Sequence, residues 1–264
     1  MESYDDNNSS DHLHAALAAA RAAAEISRNY YAGNFTVTTK ADLTPVTQAD
    51  IECEQAIREI ILERFPEHGF FGEETGRTRD DAEFLWLVDP IDGTKGFVRQ
   101  YPFFSTQIAL MQRGRIVLGV SSGTMLDELA WAESGNGAWL NGQRLRVSDI
   151  DAMDRAAVST GNLKSLALSD GWAKLAEIVA RADRIRGYGD FYHYHLLAGG
   201  KIEAVIESDV NILDIAALSI IVTEAGGTFT DLNGQPIGLE TRSVLATNGA
   251  LHDDYLLRLK GCVV

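Results

Sequence analysis

Apolar positions recur at three- and four-residue spacing over residues 12–31 and again over 50–64. This is the period of an amphipathic helix, and Asp50 stands where the second one would open. Between them, 34–40 alternates in the manner of a strand, while 41–47 contains Pro45 and short polar residues and reads as a loop. Phe84–Val88 is a continuous apolar run, the mark of a buried strand. Asp89-Pro90 predicts its end, because proline has no N–H to give a sheet ladder.

From Phe104 to Leu140 the pattern predicts an antiparallel meander, with strands at 106–111, 116–120, 129–132 and 138–140 and turns at Arg113-Gly114 and Asn141-Gly142. After Asp149 strands and helices alternate: strands at 156–159, 185–188, 202–206, 228–230 and 243–246, and helices at 170–182, 190–198, 213–225 and 250–259. The fold class this predicts is α/β, two sheets layered with helices. No low-complexity linker divides the chain, so the expectation is two halves, 1–150 and 151–264, meeting softly near 150 over a shared cleft.

Composition narrows the function. With 264 residues, 45% apolar and 23% charged, this is an ordinary globular chain. Its 38 acidic against 23 basic residues give a formal charge of −15, which repels nucleic-acid phosphates and anionic membranes. Cys53 and Cys262 support neither a disulfide framework nor a cysteine metal site, and suit a reducing compartment. Residues 1–11 lack the basic-then-apolar order of a secretory signal. The Ala-rich stretch 15–24, interrupted by Arg21, falls short of the ~20 apolar residues of a membrane span. The expected location is the cytoplasm.

Three acidic clusters lie at predicted element ends: Gly72-Glu73-Glu74, Asp89-Pro90-Ile91-Asp92-Gly93-Thr94 and Leu213-Asp214-Ile215. Asp89 and Asp92, following a buried strand, would point into the crevice above the sheet edge and repel each other unless a cation sat between them. Carboxylates and a carbonyl such as that of Ile91 are hard oxygen donors, which suit magnesium better than zinc. Gly93-Thr94 opens a helical turn whose N–H groups face an anion. A phosphate there would bridge two cations ~3.5–4 Å apart, an arrangement that hydrolyses phosphate esters.

With Lys95-Gly96-Phe97 and Glu224-Ala225-Gly226-Gly227, these motifs resemble, in order and spacing over nearly the whole chain, the inositol monophosphatase family of lithium-sensitive magnesium phosphatases. The resemblance implies an αβαβα sandwich and a small phosphorylated metabolite as substrate. It implies two tight Mg2+ ions and a weaker third, held by Glu73, Asp89, the Ile91 carbonyl, Asp92 and Asp214. Glu74 would act through a water, and Thr94 paired with Asp50 would help activate the nucleophilic water, with no phosphoenzyme. Gly93 and Thr94 would hold the phosphate with Lys40 nearby. A homodimer is implied too, with the solvated loop 77–81 a candidate border. Leu213 departs from the family's usual Trp, and Gly96 from its frequent Asn.

Arg186-Gly187-Tyr188-Gly189-Asp190-Phe191, Glu207, Ala246-Thr247-Asn248-Gly249 and His252-Asp253 are similar to the histidinol-phosphate phosphatase branch of that family. On that resemblance Arg186, Asp190 and Glu207 are candidate substrate residues. Asp190 and Glu207 would face the ammonium and imidazole of histidinol phosphate, in service of histidine biosynthesis. Asp190 also suits a helix N-cap. Inositol phosphate, 3′-phosphoadenosine 5′-phosphate (on the Gly96 variant) and a non-enzymatic transcription adaptor are the competing readings. His193 and His195, two apart on a helix, face different sides and are read as packing or surface residues. Trp86, Trp131, Trp139 and Trp172 are read as core.

Overall fold

The computed structural model describes residues 9–33, 37–39 and 45–261. The first part of the chain runs α1 (Asp11–Tyr31), β1 (Val37–Thr39), β2 (Pro45–Thr47), α2 (Gln48–Arg64), β3 (Gly69–Gly72), β4 (Gly76–Thr78), β5 (Phe84–Asp92) and α3 (Thr94–Val98). The meander follows as β6 (Ser105–Gln112), β7 (Arg115–Gly123), β8 (Glu128–Glu133), β9 (Ala138–Leu140) and β10 (Gln143–Arg144). Then come β11 (Ala157–Thr160), α4 (Lys164–Ala167), α5 (Gly171–Arg181), β12 (Arg184–Arg186), α6 (Asp190–Ala198) and β13 (Ala204–Ser208). The chain closes with α7 (Ile212–Glu224), β14 (Thr228–Thr230), β15 (Ser243–Thr247) and α8 (His252–Leu259).

An eight-stranded sheet has the order β10-β9-β8-β7-β6-β5-β3-β4, a five-stranded sheet the order β12-β11-β13-β15-β14, and β1 with β2 forms a small ribbon. Alternation along the strands assigns each face to a layer of core. On the large sheet, Trp86, Val88, Ile108 and Leu110 pack beneath α1 and α2, with Ala16, Ala20, Cys53 and Ile57. Leu85, Leu87 and Ala109 face the opposite way, onto α6 and α7. Val205, Val244 and Ala246 cover those helices from the small sheet, whereas Ala204, Ile206 and Leu245 face α5 and α8. The result is the αβαβα sandwich. No described helix is long and apolar enough to cross a membrane.

Four expectations need correcting. Strand β5 does not stop before Pro90 but continues to Asp92: the pairing with β6 slips between Asp89↔Gln107 and Asp92↔Ser105, so Pro90 sits in a bulge where no ladder N–H is required. Its carbonyl accepts the Thr106 hydroxyl at 2.9 Å instead. The residues 45–47 are strand rather than loop. Strands β3 and β4 were not foreseen: four residues bounded by Gly69 and Gly72 are too few to show a period, yet β3 lies parallel to β5 beside the acidic motif. Trp172 is 53% exposed, whereas Trp86, Trp131 and Trp139 are buried.

Candidate active site

Helix α2 contributes two buried carboxylates one turn apart. At its start Thr47 is the N-cap, and Asp50 returns the bond in a capping box, its Oδ2 accepting from the Thr47 backbone N–H at 2.7 Å and the Thr47 hydroxyl at 2.6 Å. The other oxygen, Oδ1, faces the Thr94 hydroxyl at 3.2 Å. That hydroxyl is also 2.9 Å from the Ile91 carbonyl, and its single hydrogen serves one of the two at a time. Burial raises the Asp50 carboxyl above its ordinary range, against the opposing pull of the Thr47 donors. Four residues on, Glu54 accepts from the N–H groups of Glu74 and Thr75, both at 2.8 Å. It passes so close beneath Gly72 that a Cβ there would lie 2.4 Å from the Glu54 carboxyl. Sequence reading missed Glu54. The available signal was its i+4 spacing from Asp50 on the helix face that carries Cys53, Ile57 and Ile61.

The end of β5 and the start of α7 supply the floor of the cleft. Asp89 Oδ1 accepts from the Ile91 N–H at 3.0 Å and Asp92 Oδ2 from the Ser105 hydroxyl at 3.0 Å. Asp214 is the N3 residue of α7, held by Asn211 through the backbone N–H at 2.9 Å and the side-chain amide at 2.6 Å. One carboxylate oxygen from each of Asp89, Asp92 and Asp214 lies within 4.8 Å of the others. Glu73 stands alongside, tied by its N–H to the Val88 carbonyl at 3.1 Å, and lines the same cleft.

The electrostatics of this floor are adverse without a cation. Desolvation, then the neighbouring Glu73, Asp92, Asp214 and Asp50, push Asp89 well above the usual carboxylate range. Desolvation and then Asp190 and Asp214 do the same to Asp92, and desolvation first pushes Asp214 up to about 7. The donors are carboxylate oxygens with the Ile91 carbonyl close by, a set that fits a hard dication.

The cleft has a volume of about 760 Å3. Lys95 and Arg99 bring positive charge to its lining, and Tyr101, Phe103, Tyr188, Asp190 and Asp209 bring aromatic and acidic groups. Tyr192 backs this wall, 5.7 Å from Phe103 and 6.1 Å from Tyr188 between ring centres. Gly93, at φ 85°, opens α3 in the left-handed region, and a Cβ there would meet the Phe103 carbonyl at 3.0 Å.

Other candidates are placed differently. Asp190 is the first residue of α6 rather than its N-cap, which is Gly189, and stands exposed at the cleft. Glu207 is 4% exposed behind the wall, engaged by His193, Tyr194 and Asn162. Arg186 is exposed on β12, with Nη1 on the Ile185 carbonyl, and does not line the cleft. Glu74 is fixed through its N–H by Glu54. Lys40 lies outside the described residues. His193 and His195 are buried with separate partners, Ser159 and Glu207 for one and Ser121 and Glu128 for the other.

Carboxylates crowded in this way suit dications, which with Lys95 and Arg99 would receive an anionic substrate, and the class this matches is a phosphoric monoester hydrolase. The chain belongs to the Inositol monophosphatase family, whose profile matches residues 8–262. It is 39% identical to a histidinol-phosphatase of Mycobacterium tuberculosis over 95% of this chain and 98% of that relative. It is also 34% identical to an inositol-1-monophosphatase of Caulobacter vibrioides, over 92% and 98% respectively. Among solved structures, the extragenic suppressor protein suhB from Bartonella henselae superposes with a TM-score of 0.87 at 30% identity, covering 96% of this chain and all of that one.

Proposed function

We propose that the chain hydrolyses histidinol phosphate to histidinol and inorganic phosphate, a step of histidine biosynthesis, using magnesium and water. The observation that carries the substrate is the set of aromatic and acidic groups lining the cleft: Tyr188, Phe103 and Tyr101 with Asp190 and Asp209. Aromatic faces and carboxylates together favour a flat cation over a neutral polyol, which would offer hydroxyls alone. Desolvation and then the nearby Glu207 push Asp190 up to about 6 against the pull of His193, and an ammonium placed beside it would favour its ionised form. The similarity to a histidinol-phosphatase points the same way.

Glu73, Asp89, the Ile91 carbonyl, Asp92 and Asp214 would hold two to three Mg2+ ions. Bound ions of this kind acidify a coordinated water and neutralise phosphoryl oxygens. The protein's own part begins at Thr94, whose hydroxyl donates toward Asp50 or Ile91 and so turns its lone pairs to receive a hydrogen bond from the attacking water. As that water attacks phosphorus, one proton passes to Thr94 Oγ1 while the Thr94 hydrogen moves to Asp50, whose raised proton affinity suits it to a base. Gly93 and Thr94 present first-turn N–H groups to the phosphate, and Lys95 and Arg99 balance its charge. The leaving alkoxide takes a proton from solvent while Asp50 returns its own to solvent, so the products are histidinol and phosphate with the site restored.

Phosphate release from histidinol phosphate, inositol phosphate and 3′-phosphoadenosine 5′-phosphate, each with Mg2+ and with a chelator, tests this reading. The highest kcat/KM is expected for histidinol phosphate, with activity abolished by chelation. A preference for inositol phosphate overturns the substrate, and undiminished turnover in chelator overturns the metal.

A further inference from the structure

The rear of the substrate wall carries a buried hydrogen-bonded chain that no chemical step employs. Tyr188 lines the cleft, and its backbone N–H donates to Ser159 Oγ at 3.2 Å. Ser159 Oγ lies 3.2 Å from His193 Nδ1, and His193 Nε2 lies 3.1 Å from Glu207 Oε2. Glu207 also accepts from the Tyr194 hydroxyl and from the N–H of Asn162, a second cleft residue. Ser159 and His193 are completely buried.

The chain has a self-consistent polarity. Burial works to raise Glu207, but the His193 imidazole and the donors from His193, Tyr194 and Asn162 hold it below its ordinary range, so it is an ionised acceptor. His193 Nε2 therefore carries hydrogen. The Tyr188 N–H can only donate, so Ser159 Oγ accepts from it, and the Ser159 and Glu207 contacts occupy both nitrogens of the His193 ring. Room for the carboxylate exists because residue 161 is glycine: a Cβ there would fall 1.6 Å from Glu207 Oε1. Polar groups buried at this depth cost stability unless all are paired, and an apolar residue at 193 would fill the space without that demand.

We infer that His193 and Ser159 are positioning residues for substrate selectivity. Through Ser159 they fix the backbone of Tyr188, and through Glu207 that of Asn162, so these two lining residues keep the placement that admits an imidazole carrying an ammonium. The inference rests on histidinol phosphate being the substrate.

Ser159→Ala and His193→Gln are assayed on histidinol phosphate and on inositol phosphate, with binding of histidinol itself measured by calorimetry. One lost hydrogen bond predicts a fall of roughly tenfold in kcat/KM for histidinol phosphate, carried by KM. Histidinol binding should weaken by the same factor, and kcat/KM for inositol phosphate should move less than about threefold. A parallel fall for both substrates, or a lowered melting temperature with an unchanged ratio, overturns the inference while leaving the substrate assignment intact. Absence of histidinol phosphate turnover in the unaltered protein overturns the substrate assignment instead.

Discussion

Asp214 shows what the crowding of carboxylates costs the metal-free protein. Its carboxyl stands at about 7 and that of Asp190 at about 6, against 3.8 for an unperturbed aspartate. Between those values the folded chain holds protons that the unfolded chain has released, so their contribution to apo stability falls as pH rises through this window. Glu207 and Asp209 shift the other way below this window, and burial lowers His12, His68 and His252 from 6.5, a contribution that rises with pH inside it, so the metal-dependent difference is the clean readout. A dication replaces those protons, and its stabilisation therefore grows with pH. In thermal melts the gain in midpoint on adding Mg2+ should be larger at about pH 7.5 than at about pH 5.5. An equal gain at both would refute a site built on these carboxylates. At this scale the motif residues were legible because chemistry marks them: Asp89, Asp92 and Asp214 share one cleft floor although 122 positions separate the last two (92 to 214). Glu54 and the Ser159–His193 pair were not, since an acid on a helix or a histidine among aromatics carries no sign of its partner until the chain folds.

Elements of different origin turn out to use one device. Helices α2 and α7 each begin with a capping box, and in each the acid at N3 serves the site: Asp214 lines the cleft and Asp50 meets the Thr94 hydroxyl behind it. The cap thus starts the helix and aims a functional carboxylate in the same stroke. Asn211→Ala removes the acceptor for the Leu213 N–H at 2.7 Å and the donor to Asp214 Oδ1 at 2.6 Å. The helix should lose about 0.5–2 kcal/mol, seen as a lower denaturant midpoint. Mg2+ affinity, read by calorimetry without substrate, should fall roughly 10- to 100-fold, as befits a partner that orients a ligand. A stability loss with unchanged Mg2+ affinity would show that Asp214 needs no such brace. Helices α5 to α8 and strands β6 to β9 were readable in the sequence, whereas α4 and β10 are too short to show a pattern. Pro90 misled because proline ends a strand only where its neighbour needs an N–H, and the bulge against β6 removes that need. Strand β3 escaped because a strand of four residues acquires its identity from β5 beside it.

On the scale of the molecule, the acidic floor lies at a seam between chain segments rather than within one. Asp50, Glu73, Asp89 and Asp92 come from the part of the chain that forms the large sheet, while Asp190 and Asp214 come from helices of the second half. Those helices, α6 and α7, lie between the sheets. Leu213, Ala216, Ala217 and Ile220 share one core with Leu85, Leu87 and Ala109 of the large sheet and with Val205 and Val244 of the small one. A Cβ at Gly119 of β7 would come within 2.5 Å of the Ala217 carbonyl, so the helix backbone rides directly on the sheet. Separating the chain near residue 150 therefore strips the inner face of the large sheet and leaves an apolar helix such as α7 without its larger partner. Residues 1–150 and 151–264 prepared separately should each lack a cooperative melt and bind no Mg2+, whereas mixing them should restore both, because the core and the carboxylate cluster are completed by the same association. A first half that melts cooperatively alone and retains tight Mg2+ binding would mean that Asp214 and the central helices are an addition to a finished domain, and the seam would cease to explain why metal and substrate meet where they do.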